Sequence, residues 1–586
     1  MVTTSTTEWN RNDGFSPGQA LVVFAPGIDL TATGAAPVTD MARSLAADAP
    51  IVVIDATTGQ RHPYWAELDE NSRARGEANP ALYVRPAVNW TEGHRYIVAF
   101  RNIKGAGGTA LPAPAAFAAY RDGTDLDVGG FAARKPHMEE LFGALQGAGV
   151  ARDQLYLAWD FTVASSANLA QRMIHIRDDA MADLGTDGAP AFTAAPATDG
   201  ASGNAAVVKG TFTVPLYLTD QGQPGSQFVT GPDGLPQRSG TYEANFTCVL
   251  PYDRNAPPPS SPPASVGSIV YGHGLLGTAG EVLGFGAYAI AHNSVLCATD
   301  WIGLAERDTG NAVAILQDIS RMPTLADRGQ QSFLNFQYLA RLMKSPNGFA
   351  TNPLFRVGGG SWVGHGYVAY WGRSQGGIWG GGATAVSGEW TRAVLGEPGM
   401  NYATLLDRSV DFDEFVPIIS GAYPDLTDRP ALYSLVQMLW DRSEAQGYAA
   451  HLTTDPLPGT PAHRVMLFEA FGDHQVANAS TEVEARTVGV QLKVPALAPG
   501  RSPDVTPYWG IPPLPSLPAD ANVLYPWDWG TPAPPTTNTP NRAGRDPHDF
   551  DHATPAALDV AAAFLAPNGQ VIDACAGQPC VSPPPP

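Results

Sequence analysis

No stretch of the 586-residue sequence holds eighteen consecutive apolar residues, so no segment is expected to cross a bilayer as a helix. Positive charge is scarce: 35 Lys and Arg stand against 56 Asp and Glu, a formal net charge of -21. The acidic excess is spread along the chain and repels polyanions, which argues against nucleic acid or an anionic membrane as partner. Charged residues of either sign reach only 16%, sparse for a cytosolic protein. A G-x-x-x-x-G-K-[ST] phosphate loop is missing, and the glycines between Gly358 and Gly366 precede a strand instead of opening a helix, so no cofactor is expected. Cysteine is limited to four residues without a C-x-x-C pair, which favours disulfides over a metal site. Cys575 and Cys580 would close a short loop near the C-terminus, and Cys248 and Cys297 fall near the ends of two predicted strands as candidates for a second bridge. Oxidised cysteines point to an exported chain, secreted, periplasmic or held at the cell surface; four buried free thiols are the alternative. The opening MVTTSTTEWN has no basic segment followed by an apolar one, so a signal peptide is expected to be absent from this sequence.

What is present is length and turn chemistry. A chain of this size exceeds one ordinary core and implies at least two domains. With 62 glycines and 53 prolines it is loop-rich but below the level of a disordered chain. From about 10 to 165, short β-rich runs such as ALVVFAPGIDL, APIVVIDATTG and HRYIVAFRNIKG are separated by Gly, Pro, Asn and Asp turns, the pattern of an all-β sandwich. A short helix is expected within PHMEELFGALQGAG. Residues 166–194 read as a connecting helix and linker. Beyond residue 195, strands alternate with helical patterns, which implies an α/β domain with a mostly parallel sheet and functional groups at the carboxyl ends of its strands.

The stretch that organises this second domain is YVAYWGRSQGGIWGGGATA, Tyr367 to Ala385. An apolar run, a sharp turn and a small-residue helix follow in order. A serine at such a turn takes strained backbone angles while its neighbours crowd the strand, and Gly372 and Gly376 on either side relieve that crowding. The turn lifts the Ser374 hydroxyl clear of the sheet and the helix amino end favours developing negative charge, so Ser374 is the candidate nucleophile.

With its H-G element, its G-x-S-x-G, an acid after a later strand and a histidine near the end, all in that order, the second domain resembles the α/β-hydrolase superfamily of serine esterases and lipases. More loosely, the whole resembles large bacterial secreted esterases with an N-terminal Ig-like domain; Tyr96, ahead of a strand and a Gly-rich turn, carries the latter likeness. The resemblance implies that the backbone N–H groups of Leu275, after His273-Gly274, and of Gln375 form an oxyanion hole, where donors fixed in advance meet the charge that develops on the substrate oxygen. His273 itself organises that loop. Gly472-Asp473-His474-Gln475-Val476 resembles the turn that presents the acid, making Asp473 the orienting carboxylate, with Asp407, Asp411 and Asp413 as fallbacks and His474 pointing away. The base is expected from the loop before the last helix, where His548 is preferred and His552 is the alternative. A zinc site using both histidines lacks a third ligand.

The implied reaction is hydrolysis of a carboxylic ester through an acyl-enzyme; an amidase or peptidase with the same triad, and a non-catalytic binding protein, are the alternatives. Candidate substrates are small-molecule, lipid or polyester. Segments 401–463 and 493–540 are long enough for a lid or a pocket wall, the second read as a fixed wall suited to bulky esters. Trp371 and Trp379 read as core packing. Asp122, Asp125 and Asp127 could ligate calcium but fit a solvated acidic turn better. Asn89 and Asn245 match the glycosylation pattern, which is too short to carry weight.

Overall fold

The computed structural model describes residues 4–257, 259–263 and 266–581; the side chains of Asp551 and His552 are outside the described set. The N-terminal part carries six strands, β1 (Leu21–Val23), β2 (Ile51–Asp55), β3 (Tyr64–Leu68), β4 (Leu82–Pro86), β5 (Arg95–Arg101) and β6 (Leu155–Thr162). They form two antiparallel three-stranded sheets, β1-β4-β3 and β2-β5-β6. Alternation divides β2 and β5 cleanly: Ile51, Val53, Tyr96, Val98 and Phe100 enter the core between the sheets. Val52, Ile54, Ile97 and Ala99 face the other way. That second face is covered by the helices Ala115–Asp122 and Phe131–Gly147 through Phe117, Met138, Leu141, Phe142 and Leu145. The expectation of an all-β module therefore fails. A run of apolar residues at helical spacing has a half-buried sheet face to pack on and forms a third layer instead.

The larger part is built on a ten-stranded sheet. Its strands are β7 (Phe192–Pro196), β8 (Ala205–Leu216), β9 (Gly240–Asp253), β10 (Gly267–Gly272), β11 (Ser294–Ala298), β14 (Ala369–Arg373), β15 (Arg392–Gly396), β16 (Arg464–Ala470), β17 (Gln491–Leu492) and β18 (Val523–Trp527); β12 (Arg356–Val357) and β13 (Gly360–Ser361) make a separate small ribbon. The order is β17-β18-β16-β15-β14-β10-β11-β9-β8-β7. From β11 to β17 all neighbours are parallel, while β9, β8 and β7 add antiparallel pairs. Strands β10, β14 and β15 are buried almost throughout, as expected of parallel strands covered on both faces. Val270, Tyr370, Leu395 and Leu467 join a core under the helices Ser166–Leu184 and Pro323–Lys344. Tyr271, Trp371, Val394 and Phe468 join one under Gly286–Ala291 and Pro555–Leu565. Trp362, Trp371 and Trp379 are core residues, each at most 1% exposed.

Two disulfides are formed, Cys248–Cys297 and Cys575–Cys580. The first joins directly paired positions of β9 and β11. The N-terminal part is packed against the larger one: Trp9, Met41, Trp65 and Ala87 are buried within the larger part's core. Across the same junction Glu67 of β3 receives Arg85 at 2.7 Å and Arg408 at 2.6 Å, all three buried. Among the described residues no helix is long and apolar enough to cross a membrane.

Candidate active site

Parallel strands that share one direction deliver their carboxyl ends to one edge, and the chemistry-bearing residues collect there. Gly272 of β10 pairs with Gly372 of β14, and Arg373 pairs with Gly396 of β15. Immediately beyond β14, Ser374 has φ 54° and ψ -121° and caps the helix Gln375–Ala385. That left-handed conformation is strained for a residue with a side chain, and the surrounding glycines show what holds it. A Cβ on Gly372 would lie 2.1 Å from the carbonyl oxygen of Gly376, and one on Gly376 would lie 2.1 Å from that of Gly272. Only hydrogen fits at either position. The helix amino end approaches the sheet closely enough that its first N–H groups, which have no intrahelical partner, point at the site.

The oxyanion candidates lie on either side of this serine. Leu275 and Gln375 both line the cavity that contains Ser374. The Leu275 N–H makes no backbone hydrogen bond among the described residues, whereas its neighbours are tied down: Gly274 N–H donates to Glu281 Oε2 at 2.9 Å and Leu276 N–H to the Leu304 carbonyl at 3.0 Å. Buried His273 donates from Nδ1 to the Gly274 carbonyl at 2.7 Å and accepts the Trp301 N–H on Nε2 at 2.8 Å. Burial lowers its pKa, so it is a neutral ring that braces the loop. The Gln375 side chain accepts the Tyr402 hydroxyl.

After β16, the Gly472 turn brings Asp473 under His548. Asp473 Oδ2 meets His548 Nδ1 at 2.8 Å, while Oδ1 accepts the N–H groups of Gln475 at 2.8 Å and Val476 at 3.0 Å. Both side chains are almost wholly buried, at 2% and 5% exposure. Burial works against a charged imidazole at His548, but the Asp473 carboxylate outweighs it and raises the His548 pKa above its ordinary value. His548 Nε2 is left buried without a hydrogen-bond partner among the described residues, and His548 and Ser374 line the same polar cavity. The side chain of His552, the alternative base, is outside the described set. His474 turns to the Ala543 carbonyl at 3.3 Å.

The fallback carboxylates separate. Asp413 pairs with Arg542 at 2.7 Å, and half-buried Asp407 accepts from Asn538 Nδ2 at 3.3 Å. Asp411 does reach the site, lining the cavity beside Ser374 and His548, and burial raises its pKa to about 6. Several supports escape sequence reading. Asp546 accepts the His548 N–H at 3.1 Å and the Gln475 side chain at 2.8 Å, joining base turn to acid turn. Asn478 receives the Gly472 N–H at 2.8 Å, and Asn541 donates to the Gly472 carbonyl at 2.7 Å. Only Asp546 left a local signal, an acid two residues before the histidine whose N–H it binds. The two asparagines act across the fold.

Two cavities meet at Ser374. One, of about 120 Å³, runs inward between Ile315, Ile319, Met322, Phe415, Val436 and Trp440. The other is a wider vestibule lined by Glu281, Arg373, Asp411, Glu414, His548 and Asp549. Residues 402–440 supply much of the inner wall. The Pro-rich segment 493–540 does not: it contributes β18 and a separate pocket behind Asp473. Its expected role as the substrate wall is corrected accordingly, because a strand needed to complete the sheet ties it to the far side. Asp122 and Asp125 are engaged by Arg121 and Lys135, and among the described residues no group of three carboxylate, imidazole or thiol side chains could hold a metal.

No protein-family model and no curated protein matches this chain. Solved structures similar to part of it include acetyl xylan esterase 1 from Thermoanaerobacterium sp. JW/SL YS485, at 13% identity over 54% of this chain and 82% of that one, with a TM-score of 0.34. The acetyl xylan esterase from Paenibacillus sp. R4 shares 14% identity over 53% and 83%, with a TM-score of 0.30. A CE15 glucuronoyl esterase from Teredinibacter turnerae T7901 shares 12% over 56% and 74%, with a TM-score of 0.26. Likenesses this distant assign neither fold nor activity.

Proposed function

We propose that this chain is a serine hydrolase of the α/β-hydrolase type that cleaves carboxylic esters through an acyl-enzyme, with Ser374 as nucleophile, His548 as base and Asp473 as orienting acid. The observation that carries the reading is the buried contact of Asp473 with His548 Nδ1, in the cavity where Ser374 stands at a strained strand-to-helix turn. The contact fixes the tautomer that leaves Nε2 able to accept a proton. In the reaction His548 Nε2 takes the Ser374 proton as the hydroxyl oxygen attacks the ester carbonyl. The N–H groups of Leu275 and Gln375 hold the oxyanion, and the imidazolium then protonates the departing alcohol. Water repeats the sequence to release the acid. An exported protein fits the two disulfides.

The test is hydrolysis of p-nitrophenyl esters by the wild type and by Ser374→Ala, His548→Ala and His552→Ala. Activity lost in the first two and kept in the third supports the assignment. Loss in His552→Ala with retention in His548→Ala would move the base. A folded wild type inert towards every ester, yet active on matched amides, would favour the amidase reading.

A further inference from the structure

The two cavities that meet at Ser374 differ in chemistry. The inner one is lined mainly by apolar side chains, Ile315, Ile319, Val436 and Trp440 among them, with polar groups from Ser374, Gln375, Gln475, Ser409, Asp411 and the two tyrosines Tyr402 and Tyr433. An apolar space gains by taking up hydrocarbon and loses by taking up anything that needs water. At about 120 Å³ it is slightly smaller than the ~150 Å³ apolar cavity that accommodates benzene in another protein, so it holds on the order of six carbons. The vestibule is the opposite. Four carboxylate side chains line it, Glu281, Asp411, Glu414 and Asp549, against one arginine, Arg373, which is paired with Asp549 at 3.0 Å. A concave site of one sign concentrates the opposite charge and repels its own.

Resting on the hydrolase reading above, we infer that the inner cavity receives the acyl group and the vestibule the alcohol, so that the preferred substrates are esters of medium-chain fatty acids, roughly four to eight carbons, with neutral or cationic alcohols. The opposite placement would put a polar or charged alcohol against a predominantly apolar lining. It would also leave the apolar acyl chain among carboxylates. Attack at Ser374 then releases the alcohol directly into the open vestibule, where the proton from His548 meets it. An anionic alcohol is repelled by Glu281, Asp411 and Glu414 both on entry and as the bond breaks.

The experiment is kcat/KM for p-nitrophenyl acetate, butyrate, hexanoate, octanoate and laurate, and for the hexanoate esters of choline, ethylene glycol and glycolate, with the intact chain. The expected profile peaks near hexanoate and falls at least tenfold by laurate. The choline ester exceeds the glycolate ester by about tenfold at low salt, a gap that narrows as salt screens the vestibule. Val436→Phe, which takes up space in this cavity, lowers the hexanoate-to-acetate ratio. Glu414→Lys, at an exposed position, lowers the choline-to-glycolate ratio and keeps the charge arm readable should the cavity variant fail to fold. A rate that climbs to laurate, or falls steadily from acetate, overturns the acyl assignment; equal rates on choline and glycolate esters overturn the alcohol assignment. Those results leave Ser374-dependent hydrolysis standing, whereas a wild type inert on all esters removes both readings.

Discussion

Two aspartates approach the same histidine from different segments, and their surroundings give them different work. Asp473, in the turn after β16, accepts two backbone N–H groups on one oxygen and the imidazole on the other. Donors fixed on the backbone hold the carboxylate in place beneath the ring. Asp411, in the segment 410–412, lines the cavity that holds His548 but has no such donors on its carboxylate among the described residues, and burial raises its pKa to about 6. The first can orient a base; the second can only add charge to the vestibule. The same rule separates two buried glutamates elsewhere. Glu67 is disfavoured by burial but held ionised by Arg408 and Arg85, so its pKa is lowered. Glu484, buried with no hydrogen-bond partner among the described residues, is raised to about 8.

The largest effect expected from breaking this contrast lies in the catalytic pair. Asp473→Asn should lower kcat by about 10³–10⁴-fold by presenting the wrong tautomer to His548, measured on p-nitrophenyl hexanoate. Its pH profile adds a second readout. The free imidazole is the working form, so kcat/KM falls as pH drops through the His548 pKa. With Asp473 present that acid limb lies above the ordinary 6.5; without it, burial is opposed only by more distant carboxylates such as Glu397, and the limb moves down.

Glu67→Gln is the next largest. It leaves Arg408 and Arg85 buried with their shared anion gone and should cost about 3–5 kcal/mol, read as a fall in denaturation midpoint at neutral pH. Because Arg408 follows Leu405 and Leu406 of the inner cavity wall, a raised KM for hexanoate is expected alongside.

Glu484 reverses the sign. A folded pKa raised to about 8 from 4.5 means that the protonated acid's stability is fully present below pH 4.5 and is lost as pH rises through 8. The total is on the order of a few kcal/mol. Glu484→Gln should therefore flatten the decline of melting temperature between pH 5 and 8. An unchanged decline would leave it to the other buried acids, Asp441, Glu444 and Glu469.

Asp411→Asn should be smallest, changing kcat by less than about tenfold and shifting the acid limb slightly downward as one negative charge near His548 is removed. An effect as large as that of Asp473→Asn would erase the distinction between the two carboxylates.

Legibility in the sequence followed range of interaction. The Ser374 turn was readable because strand, glycines and helix are contiguous and each glycine answers a local contact. The acid turn was readable for the same reason, though its backbone donors, the N–H groups of Gln475 and Val476, were not. Within 10–165 a short helix was expected only from residue 136; that it begins at Phe131 and is joined by Ala115–Asp122 to cover a whole sheet face was not legible, because the apolar face of β2 and β5 that they pack on becomes visible only once the sheet is assembled. Of the two segments read as a possible lid or wall, 401–463 does line the cavity through residues 402–440, whereas nothing local in 493–540 reveals that Val523–Trp527 belongs to the sheet. Asn478, Asn541 and the Glu67–Arg408 pair act across the chain and left no pattern to find.

The central claim, that Ser374 is the nucleophile made reactive by His548 and Asp473, is tested most directly by labelling the intact protein with a fluorophosphonate and locating the adduct by peptide mass spectrometry. A single adduct on Ser374, absent in Ser374→Ala and slowed at least a hundredfold in Asp473→Asn, is the predicted result. An adduct on another residue, or full ester hydrolysis by a protein that Ser374→Ala leaves unlabelled, would contradict it.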